Sequence, residues 1–232
     1  MTLSRLESLA LTHVQRDEFL EAEDLFLRIL EGRERAFDRE HPSAATIVDV
    51  SGILFLDRCR VEASNGNKGV ENNTEAEPGN VSHLPAPDPI FRLILLAEKY
   101  GQAFESLFGV LAKALVIMSD ETNATIAMKY ELFVTAHVSN KVGIVCDHCH
   151  SFITPETEWY ACKACEGNDL CRACFQSWLS HDWQSLLCQN HDFFQVCSLE
   201  SSPSGGLGGS ASWLQSLKIK YNAGGPGVQL LV

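Results

Sequence analysis

Four pairs of soft metal-ligand residues lie between Cys146 and His191, and two residues separate the members of each pair. In chain order the pairs are Cys146 with Cys149, Cys162 with Cys165, Cys171 with Cys174, and Cys188 with His191. A two-residue gap lets a tight turn aim both side chains at one ion. Two such pairs complete the tetrahedron of thiolate or imidazole ligands that is typical of structural zinc. The spacing therefore predicts two zinc ions in this stretch.

The gaps between the pairs predict which pairs share an ion. Only five residues separate Cys165 from Cys171, which is short for folding the second and third pairs around a common ion without strain. Interleaving avoids this, so we expect the first and third pairs to bind one ion and the second and fourth pairs to bind the other. The predicted ligands are Cys146, Cys149, Cys171 and Cys174 for the first zinc, and Cys162, Cys165, Cys188 and His191 for the second.

Both predicted sites are closed, because four protein ligands leave no coordination position for water or substrate. Zinc in such a site stabilises a fold and does not act as a Lewis acid. The sequence also offers no convincing nucleophile and base, no phosphate-binding glycine loop with its lysine, and no well-placed pair of carboxylates. We therefore expect no catalytic residues and a protein that is not an enzyme.

The acidic composition of the chain bears on the class of partner and on the compartment. Its 232 residues carry a formal net charge of -12, which argues against nucleic acid, since a phosphate backbone needs a basic face. The acidity either favours a basic protein segment or only keeps the protein soluble. We expect no secretion signal at the amino terminus and no membrane span. This predicts an intracellular protein, cytoplasmic or nuclear, whose close cysteine pairs bind metal instead of forming disulfides.

The elements that must position these pairs are mostly helical. In residues 1–63 one apolar face carries Leu25, Phe26, Ile29 and Leu30 at helical spacing, and the proline of His41-Pro42 ends that helix. The run 21–37, which reads EAEDLFLRILEGRERAF before His41-Pro42, resembles a tetratricopeptide repeat of the kinesin-light-chain kind. The resemblance implies a helical hairpin that descends from such a repeat. One repeat and a fragment are too few for a long groove, so the alternative is a plain hairpin that packs on the rest of the protein.

Composition divides the remaining chain into three further segments. Residues 64–89 are rich in Asn, Gly, Glu and Pro and predict a disordered linker. Residues 90–140 return to helical periodicity and are expected to pack with the first segment. Residues 198–232 form a Ser/Gly-rich tail with a short helix over 212–221. The predicted fold class is mostly α, with TPR-like helical hairpins, plus a small zinc-stabilised α+β module.

The zinc-ligand segment, residues 141–197, resembles a ZZ-type zinc finger. The resemblance rests on CDHC at 146–149, WYACKAC at 159–165, DLCRACF at 169–175 and HDFF at 191–194. It implies the interleaved, cross-braced arrangement that the gap lengths also predict. The last pair of that family is usually two histidines, so His181 is the alternative to Cys188 as the partner of His191.

The resemblance also implies a function for two acidic residues. ZZ modules of known function recognise basic tails or free amino termini of proteins through acidic side chains near the first zinc, and Asp147 and Asp169 occupy matching positions. The alternative role for both residues is to brace the zinc loops through backbone hydrogen bonds. We therefore expect a zinc-binding protein-interaction adaptor. Its rivals are a RING-like E3 ubiquitin-ligase module and a purely structural zinc module.

Overall fold

The structure is a computed structural model that describes residues 2–37, 41–66, 89–101, 103–104, 106–138, 144–154, 157–165, 167–180, 188, 191–196 and 208–221. The helices are α1 (Leu3–Val14), α2 (Phe19–Ala36), α3 (Pro42–Gly66), α4 (Pro89–Tyr100), α5 (Leu107–Ile117), α6 (Glu121–Val138), α7 (Arg172–Leu179) and α8 (Gly208–Tyr221). The strands are β1 (Ile144–Val145), β2 (Phe152–Ile153), β3 (Trp159–Cys162), β4 (Asp169–Cys171) and β5 (Phe193–Val196). This confirms the predicted class, a mostly α protein with a small α+β module.

The chain forms two compact units. One contains residues 1–95 and 217–232, and the other contains residues 96–216. Within the part of the chain that the structure describes, no helix combines the length and hydropathy needed to cross a membrane. The predicted linker lies almost wholly outside the described residues, since 67–88 are not among them. The expected packing of 90–140 on the first helices stays a prediction.

In the first unit α1 and α2 form a closely packed helical pair. The face predicted from sequence is buried at Leu25, Phe26, Ile29 and Leu30. Ala10 and Ala22 are fully buried, and their small side chains let the two helices approach each other. The predicted break is confirmed, because α2 ends at Ala36 and α3 begins at Pro42.

A buried carboxylate joins three helices of this unit. Glu23 of α2 lies 2.6 Å from Nη1 of Arg58 in α3 and 3.2 Å from Nε of Arg92 in α4. All three side chains are mostly shielded from water, with exposed fractions of 6%, 5% and 18%. A buried charge needs such partners, so this cluster fixes the positions of α3 and α4 on α2.

In the second unit α5 and α6 form a helical hairpin whose first helix is buried on all sides. The sequence of α5 is almost wholly apolar, and its buried residues are Leu107, Phe108, Val110, Leu111, Ala112, Lys113, Ala114 and Leu115. The apolar side chains between Phe104 and Leu115 are buried, but the apolar pattern continues one residue past the helix. Met118 follows the last helical residue and is 44% exposed, because the chain turns there through a positive φ of 58° at Ser119.

The helix predicted near the carboxyl terminus is present as α8. Its Trp213 ring lies 5.2 Å from the Tyr130 ring and 6.3 Å from the Phe108 ring. The indole Nε1–H of Trp213 donates a hydrogen bond of 2.9 Å to Oδ1 of Asn123. Trp213 therefore holds this part of α8 on the α5–α6 hairpin.

The metal-ligand segment folds into two small antiparallel sheets and one helix. Strands β1 and β2 form a hairpin, and the second sheet has the order β4-β3-β5. Trp159 of β3 is fully buried and pairs with Cys171 on one side and Val196 on the other. Tyr160 stacks on Phe175 of α7 with ring centroids 3.7 Å apart. These aromatic residues form the module's core, and the strands carry the ligands at their ends.

Candidate metal centres

The structure gathers the eight predicted ligand residues into two groups of four. The first group is Cys146, Cys149, Cys171 and Cys174, and the second is Cys162, Cys165, Cys188 and His191. Within each group all the donor atoms lie within 4.8 Å of one another. This is the interleaved grouping that the gap lengths predict, and each group could hold one metal ion.

The first group lies where strand β4 meets helix α7. Cys171 ends β4 and Cys174 lies in the first turn of α7, while Cys146 and Cys149 sit in a tight turn after β1. That turn is closed by the N–H of His150, which donates to the carbonyl of Cys146 at 2.9 Å. The sulfur atoms of Cys149 and Cys171 are 3.8 Å apart. A tetrahedron with zinc–sulfur bonds of about 2.3 Å has edges of about 3.8 Å, so the group fits zinc.

The second group is more enclosed and includes the histidine. The sulfur of Cys188 lies 3.4 Å from that of Cys162 and 3.2 Å from that of Cys165. Nδ1 is the ring nitrogen of His191 that faces the sulfur atoms, at 3.6 Å from Cys162 and 3.2 Å from Cys165. The structure thus places Cys188 in this group, whereas His181 lies outside the described residues.

Hydrogen-bond donors surround the sulfur atoms. The backbone N–H of Cys165 donates to the sulfur of Cys162 at 3.2 Å, and that of Cys171 donates to the sulfur of Cys146 at 3.4 Å. Side chains add three further contacts: Asn168 Nδ2 to Cys188 at 3.0 Å, Ser151 Oγ to Cys149 at 2.9 Å, and His148 Nδ1 to Cys174 at 3.4 Å. Such donors stabilise thiolates. Asn168, Ser151 and His148 lie outside the predicted ligand set, and only the fold shows that they contact the sulfur atoms.

The ligand thiols differ in how readily they lose their protons. Burial raises the pKa of Cys146, Cys174 and Cys188 above the ordinary thiol value. By contrast, hydrogen bonds from the hydroxyl and the backbone N–H of Ser151 lower the pKa of Cys149 to about 6. A metal ion must displace the protons of the buried thiols, so binding is coupled to proton release.

The two acidic residues singled out from sequence brace each other. The N–H of Asp169 donates to Oδ2 of Asp147 at 2.6 Å, and the N–H of Asp147 donates to the carbonyl of Asp169 at 2.9 Å. Asp147 is exposed, whereas the Asp169 residue is only 6% exposed. This geometry favours the bracing role for Asp147, whose carboxylate accepts a backbone N–H, whereas the carboxylate of Asp169 faces the protein interior. Asp147 keeps its exposed position beside the first group.

The carboxylate of Asp169 has an unusual environment. Burial raises its pKa to about 6, and the positive charge of Lys113 acts in the opposite direction. The indole Nε1 of Trp159 is close enough to lower this pKa as well, although its contact with the carboxylate falls outside ordinary hydrogen-bond geometry. The backbone of Asp169 is hydrogen-bonded to Asp147 beside the first group. Its carboxylate interacts electrostatically with the buried Lys113.

Lys113 of α5 reaches the backbone of the second group. Its ammonium Nζ donates a hydrogen bond to the carbonyl of Cys162 and lies 5.6 Å from the centroid of the Phe194 ring. Burial lowers the pKa of Lys113, and Asp169 and the nearby sulfur atoms offset part of this effect. In the sequence, Lys113 is a single lysine inside an otherwise apolar run.

The first unit carries an open pocket beside the turn between α1 and α2. Its volume is about 420 Å³, and it is lined by Leu9, His13, Leu20, Glu21, Asp24 and Leu25. Nδ1 of His13 lies 2.7 Å from Oε2 of Glu18 across the turn. The pocket therefore combines apolar side chains with acidic ones.

Comparisons with known proteins find a family for the first helices only. Residues 2–43 match the tetratricopeptide repeat family, and this match spans α1 and α2 and reaches the start of α3. Tetratricopeptide repeats generally mediate protein–protein interactions. No curated protein and no solved structure matches the chain. The ZZ-type resemblance of residues 141–197 stays a prediction.

Proposed function

We propose that this protein is an intracellular, non-enzymatic adaptor that binds two zinc ions and recognises a basic or amino-terminal segment of another protein. The recognition module is the ZZ-like segment 141–197, and the tetratricopeptide-like helices provide a second surface for protein contacts. No nucleic acid and no membrane is part of this proposal.

The observation that carries the proposal is the pair of closed, interleaved ligand groups. Each group offers four donor atoms within 4.8 Å of one another, and their chemistry, thiolates with at most one imidazole, is the donor set of structural zinc. Once filled, neither site leaves a position for water or substrate. Zinc here would supply folding energy that so small a core lacks.

The charge of the chain supports a basic partner. The formal net charge is -12, and Asp147 and Asp192 are exposed close to the first and second ligand groups. Asp147 also shares a hydrogen bond with the backbone of Asp169, which orders its carboxylate before any partner arrives. An ordered, exposed carboxylate suits an ammonium group, because less conformational entropy is lost on binding.

Peptide titration of the full-length, zinc-loaded protein tests the recognition step. We expect a basic peptide with a free amino terminus to bind, and Asp147→Asn to weaken it roughly tenfold, the loss of one charge-assisted hydrogen bond. Asn keeps an oxygen for the N–H of Asp169, so the loop stays braced. Glu31→Gln, at an exposed carboxylate of α2 that does not line the pocket of the first unit, is the matched control and should bind normally.

An acetylated copy of the same peptide separates recognition of an amino terminus from recognition of basic side chains. If neither form of the peptide binds to the zinc-loaded protein, the recognition proposal is wrong and a purely structural zinc module remains. Zinc content measured on the same sample keeps that result distinct from a failure to bind metal.

The rival function is a RING-like E3 ubiquitin ligase, because RING domains also interleave two zinc sites. RING domains usually place their mixed Cys/His ligands in the middle of the motif, whereas here His191 is the last ligand in the chain. The discriminating assay measures discharge of ubiquitin from a loaded conjugating enzyme. Zinc-dependent discharge well above the uncatalysed rate would replace the adaptor proposal with the ligase.

A further inference from the structure

Helix α5 contains one charged residue, Lys113, in an otherwise apolar sequence. Lys113 is only 4% exposed. Lysine is among the residue types least often buried without a partner, and removing an ammonium group from water costs several kcal/mol. A methionine would fill the same space in α5 without that cost. The presence of a cation at this position therefore requires a compensating negative charge.

The negative charge comes from the thiolates of the second ligand group and from the carboxylate of Asp169. The ammonium group contacts the carbonyl of Cys162, and the sulfur atoms of Cys162, Cys165 and Cys188 are close enough to act on it electrostatically. The buried carboxylate of Asp169 acts on it more strongly than any of these sulfur atoms. Three thiolates and a neutral imidazole around a divalent zinc leave a net charge of about -1, and Asp169 adds a second negative charge.

The two ligand groups differ in how these charges are screened. In the first group Cys149 is exposed and Cys171 is half-buried, so solvent reaches the site. In the second group no ligand residue is exposed: Cys162 and Cys188 are buried, and Cys165 and His191 are half-buried. A charge in a water-poor environment is screened weakly, and the second site therefore depends more on a fixed cation from the protein.

We infer that Lys113 is the counter-cation of the second metal site, and that it joins metal binding at this site to the α5–α6 hairpin. This inference rests on the proposed binding of zinc. Lys113 acts as a positioning residue: it does not touch the ion, but it offsets the negative charge of the filled site and of Asp169. An ion pair between Lys163 and Glu121 at 3.0 Å also joins this hairpin to the loop that follows Cys162.

A matched pair of substitutions separates the charge of Lys113 from its hydrogen bond. Lys113→Arg keeps both the charge and an N–H donor, whereas Lys113→Gln keeps a donor and loses the charge. The full-length protein is titrated with cobalt in place of zinc, because sulfur-only and mixed sulfur–nitrogen sites give different absorption bands. We expect Lys113→Gln to weaken the mixed site roughly 10- to 100-fold, as loss of an outer-shell partner does.

In the same titration the sulfur-only site serves as an internal control and should keep its affinity. Lys113→Arg should bind more tightly at the mixed site than Lys113→Gln. If the Arg and Gln variants lose affinity equally, or if Gln binds like wild type, the counter-cation role is wrong. Wild-type protein that binds no metal would instead overturn the proposed function, and the titration shows which of the two has failed.

Asp169→Asn provides a test that does not depend on the folding of a Lys113 variant. It removes the like charge beside the mixed site and keeps a side chain of the same shape. We expect it to strengthen metal binding at the mixed site in the otherwise wild-type chain, and to restore part of the affinity lost in Lys113→Gln. Unchanged or weaker binding in Asp169→Asn would overturn the charge argument.

Discussion

The sulfur atoms of Cys188 and Cys165 lie 3.2 Å apart, although 22 residues separate them along the chain. Cys188 has a positive φ of 60°, and its carbonyl accepts a hydrogen bond from the N–H of His191 at 3.2 Å. This turn presents the side chains of both residues to the same point. The pair Cys188 and His191 therefore has the geometry of a metal-binding turn, like the pair Cys146 and Cys149.

The first prediction concerns the zinc content of a Cys188 variant. Cys188→Ala removes one of the four donors of the second group, and we expect purified protein to hold about one zinc per chain instead of two. Cys59→Ala is the control, since Cys59 is a buried thiol of α3 that belongs to neither group. Metal analysis by mass spectrometry after gel filtration measures both variants. A Cys188→Ala protein that keeps two ions would identify His181 as the ligand.

The ligand groups were the part of the structure most accessible from sequence. Pair spacing and gap length are local properties that can be read directly from the sequence. The gap of five residues between Cys165 and Cys171 restricts which pairs can share an ion, independently of how the rest of the chain folds. The positions of the helices in the first unit could also be predicted from sequence. The buried residues of α2 recur at helical spacing, and Pro42 marks the start of α3.

The surroundings of the ligand groups were not accessible in this way. The contact between Lys113 and Cys162 spans 49 residues, and no spacing rule relates a lysine in one helix to a carbonyl at the end of a distant strand. Asp169 illustrates the same limit. Its position in the motif indicated an acidic residue near the first zinc, but no local pattern shows that its carboxylate is buried and under the influence of Lys113.

The second prediction concerns removal of the metal. The β3–β4–β5 sheet is small and α7 has eight residues, so this module lacks the core to fold without its ions. We expect a strong chelator to abolish hydrogen-exchange protection in β3, β4 and β5, while α1 and α2 keep theirs. The far-UV circular dichroism should change little, because most of the helices lie elsewhere.

Returning zinc to the chelated protein should restore protection in the three strands. Magnesium at the same concentration is the control and should restore none, because thiolate sites select soft metals. Strands that stay protected in the chelated, metal-free protein would contradict a metal-dependent fold.

The third prediction concerns the buried carboxylate of the first unit. Burial raises the pKa of Glu23, and the charges of Arg92 and Arg58 offset only part of this effect. Glu23→Ala nevertheless destabilises the unit, because it removes the buried carboxylate that the guanidinium groups of Arg58 and Arg92 share. We expect a loss of about 3–5 kcal/mol in the free energy of unfolding, measured by urea denaturation.

Asp24→Ala is the matched control for this substitution, since it removes the neighbouring carboxylate. The Asp24 side chain is 70% exposed and lies 3.6 Å from an exposed Arg28. An exposed ion pair of this kind contributes about 0–1 kcal/mol. Equal losses in the two variants would show that the Glu23 cluster is not a buried structural contact.

The fourth prediction concerns the docking of α8. Trp213 is half-buried, its ring packs on those of Tyr130 and Phe108, and its indole N–H donates to Asn123. We expect Trp213→Ala to cost about 2–3 kcal/mol, somewhat less than for a fully buried tryptophan. Trp213→Phe keeps a ring and loses the N–H, so it should cost about 1 kcal/mol more than Gln215→Ala, an exposed control on the same helix.

A double-mutant cycle shows whether this docking uses the hydrogen bond that the structure contains. Asn123→Ala removes the acceptor, and combining it with Trp213→Phe should add little to the loss of either single variant, because both remove the same bond. The coupling energy should be about 0.5–1.5 kcal/mol, measured by urea denaturation with hydrogen exchange of α8 as the local readout. Fully additive losses would mean that Trp213 and Asn123 stabilise the protein independently, and that the hydrogen bond between them does not contribute to the docking of α8.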